Sequence, residues 1–368
     1  MKAHAAFVGA GYSTVERSSR RSPLSFAMDA ALDALDAAGV ERDEIDGYVG
    51  IGSNPNASSS AADGADHVSA YLMVDGLGLG PLSWVSDVSG FAINMAATAA
   101  AAIRSGLCST VLGVRAVHHG GAQGQAGRAL AAGEEQWTKP FGAGPGGTRF
   151  GQRLQGYLHR SGARREDLWE VVRVAREHAR LNPVAHFRGR DLPLEDYLEA
   201  PMIAEPLSLY DCDLPVSGAG AFVMVGADRA RSEDRPAAYL RAHANWTNAG
   251  TILDRAGLTG GDIDVCQLYD GYSFMVYEWL ERLGWCEPDR GWKYVADGRT
   301  RLGGELPVNT FGGALGEGRL HGMGHLREAI VQVMGRAGAR QVADVEHCLV
   351  QVGPFDRSAL AVLSRDPD

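Results

Sequence analysis

The chain has 368 residues, 45% of them hydrophobic, and a net charge of −10. That length calls for two units or one large α/β domain rather than a single small core. The acidic balance argues against nucleic acid or an anionic membrane as the main partner, and no apolar run approaches the ~20 residues that span a bilayer.

The opening MKAHAAFVGAGYS has no signal-peptide pattern and predicts a first strand over residues 5–9. Its Gly9-Ala10-Gly11 lacks the third glycine of a dinucleotide fingerprint. Ser22 and Pro23 open a helix, Phe26, Ala30, Leu32 and Leu35 continue it at helical spacing, and Gly39 stops it. A strand over 45–51 follows. Asp87 then sits where a strand ends, a Val88-Ser89-Gly90 turn follows, and an Ala-rich helix over 90–106 begins. A residue on such an elbow is held at a helix N-terminus, a place for a nucleophile or an anion, or simply for a cap. After the strand at 110–114, His118 and His119 end the run and are candidates to line a cavity. The stretch from 118 to 207 is a long excursion, glycine-rich at first and helical over 167–179, of the kind that forms a lid or binding loop.

The design then returns. LDAAGVERDEID from Leu35 and LDRAGLTGGDID from Leu253 share Leu, Asp, Ala, Gly, Ile and Asp in one register, 218 positions apart. The helix and strand at 90–114 are echoed by a helix at 324–338 and a strand at 348–352. Strands at 221–225 and 359–363 close the two parts. These echoes predict two related βα halves, residues 1–230 and 231–368, with mostly parallel, buried strands.

Candidate chemistry concentrates in the second half. QLYDGYSF places Tyr269, Asp270 and Tyr272 at a strand end between apolar flanks. A buried tyrosine hydroxyl needs a partner. As a base its pKa must fall from ~10, which a nearby cation achieves, and as a neutral donor it stabilises an oxyanion. VNTFGGALGEGRLHGMGHLREA carries six glycines between Gly312 and Gly324. Such a loop lets backbone approach a ligand closely and feeds a helix N-terminus that favours anions. Gly312 and Gly313 are candidates for an oxyanion hole, and Arg319 and His321 for polarising or proton-passing groups. Five cysteines, Cys108, Cys212, Cys266, Cys286 and Cys348, show no CxxC or metal spacing and read as reduced, cytoplasmic core residues. With no HExxH pattern or Walker loop, no catalytic metal and no ATP chemistry are expected.

These segments, with HARLNPVAHF at 178–187 and PMIAEPLSLYDCDLPVSGAGAFVMV at 201–225, resemble the thiolase superfamily over nearly the whole chain. The likeness is to thiolase-like lipid-transfer proteins of the sterol-carrier-protein-x type. It implies two duplicated βαβαβαββ halves in a five-layer αβαβα body with an inserted loop domain, dimerised through the first half. The chain departs from a true thiolase at each chemical position. Asp87 stands where the acyl-accepting cysteine is expected, Gly318-Arg319-Leu320 where Gly-His-Pro is, and Tyr269 where the Asn or His of the NEAF or HDCF box is. QVGPF has no cysteine at its turn. A cysteine-lacking subgroup with the same gaps resembles retro-aldolases, which cleave a β-hydroxyacyl-CoA with a small OB-fold, zinc-ribbon partner. The resemblance implies Tyr269 as acid or base, Arg319 where a second tyrosine is expected, His321 as the other proton carrier, and Asp87 holding a water or hydroxyl. Coenzyme A enters only as part of the substrate. A cysteine-independent acyltransferase and a silent acyl-CoA-binding subunit are the alternatives.

Overall fold

The structure, a computed structural model, describes residues 3–51, 68–118, 136–137, 139–141, 146–245, 251–355 and 357–368. The first half runs β1 (Ala5–Tyr12), α1 (Pro23–Ala38), β2 (Gly47–Gly50), α2 (Ala70–Leu77), β3 (Trp84–Asp87), α3 (Ala92–Arg104) and β4 (Thr110–Val117). An excursion follows with α4 (Gly146–Ser161), α5 (Arg165–Ala179), α6 (Leu194–Glu199) and the hairpin β5 (Met202–Ala204) and β6 (Leu207–Ser208). Strand β7 (Gly218–Gly226) closes this half and α7 (Ala227–Ser232) leads out of it. The second half holds β8 (Ala238–Asn245), α8 (Thr251–Ala256), β9 (Val265–Leu268), α9 (Met275–Arg282), α10 (Gly291–Ala296), α11 (Gly313–Gly316), α12 (Met323–Val333), β10 (His347–Val352) and β11 (Ala359–Ser364).

Local chemistry explains the first βα unit. The Ser22 hydroxyl accepts the Ser25 N–H, Pro23 fills the first helical position, and Gly39 turns left-handed at φ 59° to end α1. At Gly11 a Cβ would lie 2.2 Å from the Ala34 nitrogen. The glycines of β1 therefore let α1 press onto the strand, a packing role and not a nucleotide one.

The sheet order is β3-β2-β4-β7-β1-β8-β11-β10-β9. Strands β2, β3 and β4 are parallel, and so are β9 and β10; β7, β1, β8 and β11 pair antiparallel. The expected mostly parallel sheets are thus corrected to mixed ones, because each half returns its closing strand beside its first through an antiparallel connection. The halves meet where Ala6 and Phe7 pair with Tyr239 and Ala238. The counterpart of β3 in the second half has shrunk to one parallel bridge between Cys266 and Val308.

Three buried clusters fill the gaps between layers. One holds α1 and α2 against the first-half strands, one surrounds α3 and α12 between the halves, and one packs α8, α9 and α10 with the excursion helices against the second. This is the five-layer thiolase arrangement. The repeat also recurs in hydrogen bonds. Asp46 accepts the Ser109 and Thr110 N–H groups ahead of β4, and Asp264 accepts those of Glu346 and His347 ahead of β10. The described part of the excursion is anchored on the second half: Arg153 pairs with Glu278 at 2.7 Å, and the Tyr157 hydroxyl donates to Glu281 at 2.9 Å.

Candidate active site

Tyr269 lies just beyond β9. Its backbone N–H donates to Gln351 Oε1 at 3.0 Å, and the Gln351 amide donates to the Gly353 carbonyl at 2.7 Å. One buried side chain from β10 therefore fixes both this corner and the final glycine turn. The Tyr269 hydroxyl lies 3.5 Å from Asp213 Oδ2, and Arg319 Nη1 donates to Asp213 Oδ1 at 3.0 Å. Asp213 is brought in by the segment before β7, where its N–H bonds the Gly271 carbonyl at 3.1 Å.

Charge in this group is tightly coupled. The Asp213 side chain is only 8% exposed, and burial pushes its carboxyl up to about 6 against the pull of Arg319. Burial and the Asp213 charge hold the Tyr269 phenol well above its usual value, and burial does the same for Tyr272. Tyr269 is therefore a neutral hydroxyl beside an ionised carboxylate at neutral pH. The Asp213 charge raises Arg319, which stays cationic. Burial, then Arg115 and Arg319, press the His321 ring well below its usual value, so it is a neutral imidazole. His321 also adopts φ 48°, in the left-handed region.

Arg115 projects from β4 and is 6% exposed. Its Nη1 donates to the Gly90 carbonyl at 3.3 Å and to the His321 carbonyl at 3.2 Å. It thus ties the first-half elbow to the second-half loop. Asp213, Arg115 and Gln351 were not among the residues picked from the sequence. Asp213 left a signal, being one of three carboxylates inside an otherwise largely apolar run at 201–225. Arg115 left one as the only charged residue of β4.

Other expected residues sit differently. Asp270 is buried, and its carboxylate accepts the Ala314 and Leu315 N–H groups at 2.8 and 3.1 Å and contacts His325 Nε2 at 3.0 Å. Both of its oxygens are engaged in capping α11. The Gly312 N–H bonds the Asn309 carbonyl at 2.8 Å. A Cβ at Gly313 would lie 2.1 Å from Asp270 Oδ2, and one at Gly312 would lie 2.9 Å from Ala179 Cβ. Gly312 and Gly313 are thus closely packed, and the N–H groups of Gly312, Ala314 and Leu315 are taken within the corner. Asp87 is exposed at the end of edge strand β3. It does not cap α3, whose N-terminus is closed by Asn94 accepting the Phe91 N–H at 3.0 Å. Tyr272 stacks on Phe150 of α4 with ring centroids 4.6 Å apart. His118 is half-buried just past β4, and His119 lies outside the described residues.

HARLNPVAHF serves as scaffolding for the glycine loop. His178 contacts the Asn309 carbonyl at 3.1 Å, and the Asn182 amide donates to the Phe311 carbonyl and to Glu317. Tyr12 closes the same knot through Glu317. Of the cysteines, Cys212 is half-buried beside the site, forming a bridge with Tyr272. Burial, then Asp211 and Asp213, push its thiol up to about 12, so it supplies no thiolate. A cleft of about 230 Å³ opens elsewhere, lined by α3, β8 and Arg255, and contains none of these residues. Among the described residues, no helix is long and apolar enough to cross a membrane.

Comparison with known proteins agrees with this geometry. Residues 235–365 match the family model described as Thiolase C-terminal domain-like. The chain is 32% identical to the steroid side-chain-cleaving aldolase of Thermomonospora curvata, over 98% of each chain. It is 31% identical to the 17-hydroxy-3-oxo-4-pregnene-20-carboxyl-CoA lyase of Mycobacterium tuberculosis, over 96% of this chain and 97% of that one. Among solved structures it is similar to the Ltp2-ChsH2(DUF35) aldolase, with a TM-score of 0.84, 31% identity, and coverage of 99% of this chain and 98% of that one. With no thiolate at the site, a five-layer body and full-length likeness to carbon–carbon-cleaving relatives, the chain belongs to the thiolase-like aldolase branch of the thiolase superfamily.

Proposed function

We propose that this protein cleaves the carbon–carbon bond of a β-hydroxyacyl-CoA, releasing a ketone or aldehyde and a shortened acyl-CoA. The observation that carries this reading is the Tyr269–Asp213–Arg319 group, an acid–base pair with a fixed cation and no thiolate beside it. The names of the relatives support a CoA thioester with a steroid or other lipid side chain.

The proposed chemistry balances without a covalent intermediate. The substrate β-hydroxyl gives its proton to the Tyr269 oxygen as Tyr269 passes its own to Asp213. The Cα–Cβ electron pair moves into the thioester, giving an enolate, while the former hydroxyl carbon becomes the carbonyl product. Arg319 and the neutral His321 ring stabilise the enolate oxygen. The proton on Asp213 returns through Tyr269 to Cα. No cofactor beyond the substrate's own coenzyme A takes part. The high Cys212 thiol argues against a covalent thioester route; a cysteine-independent acyl transfer is told apart by acyl exchange without a carbonyl product.

Two assembly proposals accompany this. A small OB-fold, zinc-ribbon partner is one; the similar solved structure, which names a DUF35 component, supports a partner of DUF35 type. A homodimer through the first half is supported by apolar exposure on edge strand β3, where Val85 is 49% exposed, and on α2, where Tyr71 is 84% exposed. A cytoplasmic location fits the five free cysteines.

The test is direct. The purified protein, with and without a DUF35-type partner, is incubated with a β-hydroxyacyl-CoA bearing a tertiary or ring-attached hydroxyl, and mass spectrometry follows the products. A shortened acyl-CoA with its matching ketone supports the reading. Acyl exchange with no carbonyl product overturns it, as does substrate that binds yet stays intact in both mixtures.

A further inference from the structure

Most deeply buried guanidinium groups in this protein are balanced by an obvious device. Arg340 pairs with Glu328 at 3.0 Å, and Arg176 lies 3.2 Å over the Phe187 ring. Arg115 differs. It is 6% exposed, and its described hydrogen bonds go to two backbone carbonyls, Gly90 and His321. Among the described residues, no carboxylate pairs with it. A buried cation without an anion is costly, and such a cost persists where a positive potential is held ready for negative charge that appears only in the reaction.

Its two partners belong to different halves of the fold. Gly90 ends the elbow after β3, and His321 lies in the glycine loop before α12. The guanidinium therefore sets the separation of those two backbone segments. It also holds His321 by its carbonyl, a residue in a left-handed conformation at φ 48°.

We propose that Arg115 is a positioning residue of the carbon–carbon cleavage site: it fixes His321 across the seam between the halves and supplies a preformed positive potential to Tyr269 and His321. This rests on the retro-aldol reading for its effect on rate, though not for its effect on His321. The charged groups felt by the His321 ring are Arg115 from β4 and Arg319 from its own loop; the titratable group facing Arg115 is Tyr269 from the corner after β9. Removing one of two cations beside an imidazole favours its protonation, so the ring's titration must move upward.

The experiment uses the full chain with its partner and three variants, Arg115→Gln, Arg115→Lys and Arg115→Ala. Steady-state cleavage of a β-hydroxyacyl-CoA gives kcat and KM, and ¹⁵N NMR follows the His321 ring with pH. Arg115→Gln is expected to lower kcat by about 10²-fold with KM changed by less than about threefold, and to raise the His321 titration midpoint. Arg115→Lys is expected to keep the midpoint low and recover part of kcat. Guanidinium added to Arg115→Ala is expected to restore rate and midpoint together. A folded Arg115→Gln protein with unchanged kcat overturns the proposal, as does a fall in kcat with the His321 titration unmoved. If Arg115→Gln does not fold, the comparison of Arg115→Lys with wild type decides, a conserved His321 midpoint being required. Wild-type protein that cleaves no such substrate defeats the retro-aldol reading alone, and the His321 titration still tests Arg115.

Discussion

Replacing Asp213 by Asn should destroy activity and stabilise the fold. Asp213 is the buried acceptor of the Tyr269 and Arg319 hydrogen bonds, and its carboxyl rises from 3.8 to about 6 in the folded state. The folded pKa lies above the unfolded one. Between roughly pH 4 and 6 the native state then binds more protons than the unfolded state, so stability falls as pH rises through that window. A shift of about two units at 1.36 kcal/mol each amounts to roughly 3 kcal/mol forgone at neutral pH. Asn matches the neutral acid in shape and keeps an acceptor for Arg319, so Asp213→Asn should recover most of that. With about 2.1 cal/mol/K per residue, 3 kcal/mol corresponds to a Tm higher by about 4 °C for 368 residues. Urea denaturation of both proteins at pH 7.5 and pH 4 measures the gain and supplies its own control, because the two should converge at pH 4, where wild-type Asp213 is protonated. In the same variant kcat should fall by about 10²–10⁴-fold, the usual worth of a positioned acid–base group. The wild-type kcat/KM profile should lose activity below about pH 6 as Asp213 takes up its proton. An Asn variant that is less stable than wild type at pH 7.5, or one that keeps its activity, refutes the assignment of a strained, ionised carboxylate.

Other substitutions separate chemistry from scaffold. Tyr269→Phe removes only a 3.5 Å hydroxyl contact; kcat should drop by about 10²–10⁴-fold, with circular dichroism and Tm nearly unchanged. Gly313→Ala drives a methyl group against the Asp270 carboxylate at a φ of 64°, which should cost roughly 2–5 kcal/mol in chemical denaturation by strain and by loosening the α11 cap. Arg340→Leu leaves the fully buried Glu328 carboxylate without its cation; a loss of about 3–5 kcal/mol is expected on the same measurement.

The scaffold was legible where local chemistry is self-sufficient. Ser22-Pro23 and Gly39 mark both ends of α1, and the shared Leu-to-Asp register marks the duplication down to the matching roles of Asp46 and Asp264. Sheet direction was not legible, because a buried apolar strand reads alike in parallel and antiparallel pairing. At the site, Tyr269, Arg319 and His321 stood out as polar residues in apolar or glycine-rich frames, and the fold brings them together. Asp270, Gly312 and Gly313 stood out for the same reason, yet they also build the corner: the carboxylate fits the space that Gly313 leaves, and Ala179 packs against Gly312. A single sequence does not separate a glycine needed for a ligand from one needed for a neighbouring carboxylate. Asp213 and Arg115 escaped because they come from strands and segments 56 to 204 residues away from Tyr269 and Arg319, and only the closed fold converges them.

That convergence also explains how the scaffold works without a thiolate. Covalent chemistry needs one nucleophile at an elbow, supported by general acids. Here the first elbow contributes its backbone, the Gly90 carbonyl, and leaves Asp87 exposed at the sheet edge. In the proposed mechanism the acid–base work passes to the second half and to the segment before β7, where Arg319 offsets part of the burial that raises Asp213. An arrangement of this kind passes a proton between oxygen atoms while holding a fixed positive charge at the seam, which is what breaking a carbon–carbon bond next to a thioester requires. The two halves are therefore unequal in chemistry though alike in fold, and Arg115, reaching from one to the other, makes the site depend on both.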